Sequence, residues 1–152
     1  MKISIKDEVK GLSKVYKIVK TVEENKVQIE DKLENSKTFF AEAGRCNYDE
    51  LSIALGLESR ARNAVQHAEK LRQINNELIK RLLTIVDQVL NSAKLKKQDI
   101  RRAVETAPEG SKVEEQLLEL DSRLDTVIYA CASAQQTYSA NDNNDSEYGD
   151  DE

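Results

Sequence analysis

Residues 113–138 read VEEQLLELDSRLDTVIYACASAQQTY, with apolar side chains at Val113, Leu117, Leu120, Leu124, Val127, Cys131, Ala134 and Tyr138. The steps alternate four and three without interruption. A 3.5-residue period draws one continuous apolar ridge along a helix, as at the a and d positions of a heptad. A strand would instead alternate with a period of two.

Upstream, Pro108, Glu109 and Gly110 end the preceding helix, and Ser111 with Glu114 forms a capping-box pattern for the next. Before that break lies a longer seam: Ala54, Leu57, Ala61, Ala64, Ala68, Leu71, Leu78, Leu82, Ile85 and Val89. Its early part is small, so another backbone can approach closely there. Ile79, Leu83, Val86 and Leu90 add a second apolar face later. Asn91–Ser92 is a candidate break. Asn75 falls at an a-type position, where a buried asparagine sets register at some cost in stability; exposure at the stripe's edge fits the spacing equally well.

The N-terminal seam reads Ile5, Leu12, Val15, Val19, Val22, Ile29, Leu33 and Phe40, interrupted at Lys26 and Ser36. Gly11 marks close contact or fraying. In AGRCNYDE, Gly44 suits a left-handed C-cap, and Asn47 with Glu50 suits a new helix start. The spacing predicts helices over about 5–43, 48–107 and 112–139. The expected fold is all-α, an elongated three-helix bundle or helical hairpin with long coiled-coil-like helices, in one domain over 1–140.

After Ser139 the pattern stops. Residues 141–152 carry six acids, Asp142, Asp145, Glu147, Asp150, Asp151 and Glu152, and no base. Such a stretch buries too little to offset its ordering entropy, so a disordered acidic tail is expected. The whole chain holds 28 acids and 23 bases. Without the tail 22 acids face 23 bases, so the tail supplies all of the net negative charge.

One proline and five glycines in 152 residues leave little loop to build a pocket. No 18-residue apolar run exists, and MKISIKDEVKGL lacks an apolar signal region, so a cytoplasmic protein is expected, with signal-independent secretion left open. Cys46 and Cys131 lack metal-site spacing and read as buried free thiols. His67, the one histidine, has no acid four residues away on either side and reads as a surface or interface residue. Glu23, Glu24 and Glu30, like Glu114, Glu115 and Glu119, read as solvated helix faces. Phosphate-loop, dinucleotide, CxxC and HExxH motifs are missing. The expectation is no enzyme, no catalytic residue, no metal, no cofactor and no small-molecule substrate.

Charge concentrates between Lys80 and Arg102, where seven bases face Asp87 and Asp99. Lys94, Lys96, Lys97, Arg101 and Arg102 form the candidate patch for phosphate or for an acidic partner, including the tail; a solvated face is the plainer alternative. A nucleic-acid-associated regulator using this stretch is the rival function.

Tyr138–Asp142 reads YSAND directly after the last helix, and Tyr148–Glu152 reads YGDDE. These Tyr-x-x-x-acid stretches on a helical chain resemble the small helical proteins of type VII (ESX) secretion, of the WXG100 or LXG-toxin-adaptor kind. The resemblance implies an export signal at Tyr138 and Asp142 and a role as substrate or adaptor subunit. The corner lacks the family's Trp-x-Gly, having Ala43-Gly44-Arg45.

The leading expectation is a non-enzymatic protein–protein interaction module: an adaptor, chaperone or assembly factor, self-associating through helical seams. Its expected anchors are Leu117, Leu120, Leu124 and Val127 on the last helix and Leu78, Leu82, Ile85 and Val89 on the long one.

Overall fold

A computed structural model describes the backbone of residues 3–148 and the side chains of residues 3–139. The acidic side chains expected at 141–152 therefore lie outside the described residues. Three helices carry the chain: α1 (Lys6–Gly44), α2 (Leu51–Thr106) and α3 (Lys112–Tyr148). A single 3₁₀ turn, Tyr48–Glu50, leads into α2, and no strand occurs among the described residues. The fold is all-α, as the periodicity requires. α2 runs through Asn91–Ser92 as one helix, within the expected span 48–107, and one boundary moves: α3 continues past the expected end at 139.

The chain divides into two compact units, one of Met1–Val19 with Ile79–Glu152, the other of Lys20–Leu78. In the first, segments of all three helices pack together. Leu82, Val86, Leu124 and Cys131 are fully buried there. Ile5, Ala93, Ile100 and Leu124 form a cluster at one end, with Leu117, Leu120 and Ile128 packed against it. Gly11 lets α1 press against α2, since a Cβ at this position would run into Val89 Cγ2. The glycine marks close contact.

The second unit is a two-helix hairpin. Asn75 is 5 % exposed in its seam and donates from Nδ2 to the Val22 carbonyl at 3.1 Å. Its Oδ1 accepts from Asn25 Nδ2 at 2.9 Å. The buried asparagine is thus hydrogen-bonded across the pair and fixes which turn of α1 faces which turn of α2.

The α1 seam departs from its expected path in this unit. Ser36 is buried and Lys32, Phe39 and Ala43 are half-buried, whereas Leu33 and Phe40 stand exposed. From Val22 the contact line steps through 26, 29, 32, 36, 39 and 43, so two successive steps of three at 26–29–32 shift it off the line that would carry Leu33 and Phe40. Ala54, Ala61, Ala64 and Ala68 line the facing stretch of α2, so a small Ser36 fits where the helices run close.

The corner is also built differently. Among the described residues only Gly110 has a left-handed φ, of 75°, so Gly44 is not the left-handed cap. The end of α1 tightens instead: Arg45 N bonds Glu42 O at 3.1 Å and Cys46 N bonds Ala43 O at 3.2 Å, which satisfies carbonyls without a left-handed residue. Cys46 is only half-buried at this corner, unlike Cys131, because the turn offers little to pack on it. Asn47 N donates to Glu50 Oε1 at 2.9 Å, closing the expected start of the next helical stretch. At the second corner Glu114 N donates to Ser111 Oγ at 3.2 Å. Gly110 takes its left-handed φ in a turn closed by Ser111 N to Pro108 O at 3.1 Å.

Candidate interaction surface

The residues expected to anchor a partner lie inside the chain's own packing. Leu82, Val89, Leu124 and Val127 are buried, and Leu78, Ile85, Leu117 and Leu120 are half-buried. From Leu117 on, the heptad of α3 is spent on this chain's own α1 and α2, whereas Val113 at its start stands exposed. Burying such ridges is how the chain folds, so a surface for a partner has to come from other side chains.

The basic stretch is divided in the same way. Lys96 turns toward α1, its Nζ 2.8 Å from Glu8 Oε1 and 3.1 Å from Oε2, and also donates to the Ser4 carbonyl. Glu8 is 1 % exposed and accepts a further bond from Ser92 Oγ at 2.9 Å. Burial pushes the Glu8 carboxyl up, but the hydrogen bonds from Lys96 and Ser92 outweigh it and hold the group below its ordinary value. Lys97 turns toward α3, pairing with Asp125 and lying 3.6 Å from Asp121 Oδ1. Lys94, Arg101 and Arg102 remain exposed. The five cations therefore form no single patch, because two of them tie α2 to its neighbours.

Uncovered apolar side chains gather on the hairpin unit. Leu33, Phe40, Leu51, Leu55 and Val65 are between 41 % and 63 % exposed, and Tyr48 at the turn is 98 % exposed. Leu33 follows Lys32, Phe40 follows Phe39, Leu55 follows Ala54 and Val65 follows Ala64. Each stands one position past a residue of the contact line. In an antiparallel pair, side chains displaced in the same rotational sense emerge on the same side, so these four share one flank. Leu51 precedes Leu55 by one turn and prolongs the strip toward Tyr48. Val27, Ile53 and Ile74 are exposed away from it.

Glu58 and Arg62, paired at 3.2 Å, lie on this flank between Leu55 and Val65, and Lys26, Glu30 and Lys37 lie on its α1 side, Lys37 between Leu33 and Phe40. Both signs are therefore present within it. The exposure of Leu33 and Phe40 follows from the seam shift, which sequence spacing alone does not show.

Other expected sites resolve simply. His67 is exposed. Tyr138 is 4 % exposed, so the first residue of the Tyr-x-x-x-Asp pattern is a core side chain, while the Asp142 side chain lies outside the described residues. Among the described residues no group of three or more His, Cys, Asp or Glu is placed to hold a metal, and no helix is long and apolar enough to cross a membrane. No family model, curated protein or solved structure matches this chain.

Proposed function

We propose that the chain is a non-enzymatic protein–protein interaction module whose hairpin flank, Leu33, Phe40, Leu51, Leu55 and Val65, docks on a second copy. The observation that carries this reading is the exposure of these five large apolar side chains on one side of a two-helix unit. Large apolar side chains left uncovered on one side cost free energy in water and mark a contact to be made, here with charged side chains set among them. The charges set among them argue for a like partner. Glu58 and Arg62 on one helix and Lys26, Glu30 and Lys37 on the other supply both signs, so the surface carries the charges that a second copy of itself needs to meet.

The test is light scattering over a range of concentrations, on the intact chain and on a variant carrying Leu33→Gln, Phe40→Gln and Leu51→Gln. All three positions are already wet, so the helices fold as before, which circular dichroism checks. Mass rising toward the dimer in the native chain, and staying monomeric in the variant, supports the reading. A native chain that stays monomeric at every concentration overturns docking on a second copy.

A further inference from the structure

A groove of about 330 Å³ runs between α1 and α2, with no α3 residue in its lining. Gly11, Ile85 and Val89 form its floor, and Gly11 brings no side chain into it. Lys10 and Lys14 stand on the α1 lip, one turn and about 6 Å apart along the axis, and Gln88 and Ser92 stand on the α2 lip. Glu8 meets Ser92 and Gly11 meets Val89, so the helices run antiparallel and Lys14 comes level with Ile85. Arg81 lies one turn from Ile85 on the same side of α2, which brings a third base to the Lys14 end. Lys10, Lys14 and Arg81 are exposed, and none is engaged by a carboxylate among the described residues. Lys17, a turn beyond Lys14, already has a partner. Two acids lie close. Asp7 lines the end of the groove away from Arg81, and Glu8 spends its charge on Lys96 and Ser92.

We infer that this groove holds the phosphate backbone of a single-stranded nucleic acid, with Lys10, Lys14 and Arg81 as its counter-charges and Gln88 as a neutral donor. Charge complementarity is the first reason. A nucleic-acid strand carries a charge on every nucleotide, so three bases set around two turns of helix can all be met at once, each releasing a counterion. The donor set is the second. Lysine, arginine and glutamine side chains are the groups that fix a phosphate backbone in place, whereas Ser92 has given its proton to Glu8 and acts only as an acceptor. Shape is the third. A duplex is too wide to enter between helices packed about 8–10 Å apart, but a single strand can lie along the bare floor that Gly11 leaves. The site is local. The chain's net charge of −5 repels phosphate as a whole, so attraction has to come from this groove. Lys94, Arg101 and Arg102 are not part of its lining, and it does not depend on the hairpin flank.

The test titrates the full chain into a fluorescent oligothymidylate and follows anisotropy. A dissociation constant on the order of 100 µM is expected at low salt, with log affinity falling against log salt at a slope of about −2, the value for three contacts to a single strand. The Lys10→Gln, Lys14→Gln, Arg81→Gln variant should bind at least fivefold more weakly. The Lys94→Gln, Arg101→Gln, Arg102→Gln variant should change less than twofold. All six positions are wet, and circular dichroism checks that both variants fold. A second readout locates the strand: backbone amide shifts in a nuclear magnetic resonance titration should move at Gly11, Gln88 and Ser92 and stay still from Arg101 onward. No binding at millimolar protein, equal weakening of the two variants, or shifts centred on Arg101 and Arg102 would each overturn the inference. So would displacement of the oligonucleotide by polyglutamate at a lower charge concentration than by its own unlabelled form, which would assign the groove to an acidic peptide.

Discussion

Lys96 grips both carboxylate oxygens of Glu8, at 2.8 and 3.1 Å, across the α1–α2 packing in a place where Glu8 is 1 % exposed. A buried ion pair adds little net stability when complete, but removing one partner strands the other charge away from water. Lys96→Met should cost about 3 kcal/mol in denaturant unfolding, the low end for such pairs because the Lys96 side chain keeps some solvent contact. Glu8→Leu combined with Lys96→Met should recover most of that loss.

The same pair sets an acid limit. Because the folded Glu8 pKa is lowered, its contribution is complete above the unfolded carboxylate value of about 4.3 and is lost as pH falls through the lower folded value. Unfolding free energy measured from pH 7 down to pH 3 should therefore drop more steeply in the native chain than in the Glu8→Leu, Lys96→Met double variant. Parallel curves would show that Glu8 has no part in acid sensitivity.

Gly11→Ala sets two effects against each other. Alanine gains about 1 kcal/mol of helix propensity, but its methyl collides with Val89 Cγ2 in a closely packed line. Overpacking costs about 1–3 kcal/mol, so net destabilisation is expected. Pairing it with Val89→Ala removes the clash, and the two changes should be strongly non-additive in a double-mutant cycle.

Asn75→Ala should destabilise by about 1–3 kcal/mol, because it leaves the Val22 carbonyl and Asn25 without their partner. Replacing Asn25 and Asn75 together by leucine should match or exceed native stability while relaxing the register of the hairpin. Hydrogen exchange checks this as a loss of uniform protection over residues 20–78 despite a higher unfolding midpoint.

The seam from Ala54 to Val89 and the heptad from Leu117 to Tyr138 were legible because apolar spacing reports directly which side of a helix is covered; Val113, at the end of α3, fits the period but is exposed. Glu8 was not, because a carboxylate on an apolar line looks like noise until Lys96 and Ser92 arrive from eighty residues away or more. Leu33 and Phe40 misled for a related reason: their apolar character fits a seam, yet alanines across the hairpin let Ser36 take the contact instead. Lys94–Arg102 looked like one patch because sequence counts charge without direction. The hairpin flank follows from these same two facts of register and direction, which neither composition nor period contains.

The most direct test of the hairpin flank as a docking site is hydroxyl-radical footprinting of the native chain at low and at high concentration. Labelling of Phe40, Leu51 and Leu55 should fall several-fold as concentration rises, while Leu95 and Tyr129, more exposed still but off the hairpin, stay constant. Unchanged labelling of the three flank residues, or protection of Leu95 and Tyr129 in their place, would contradict it.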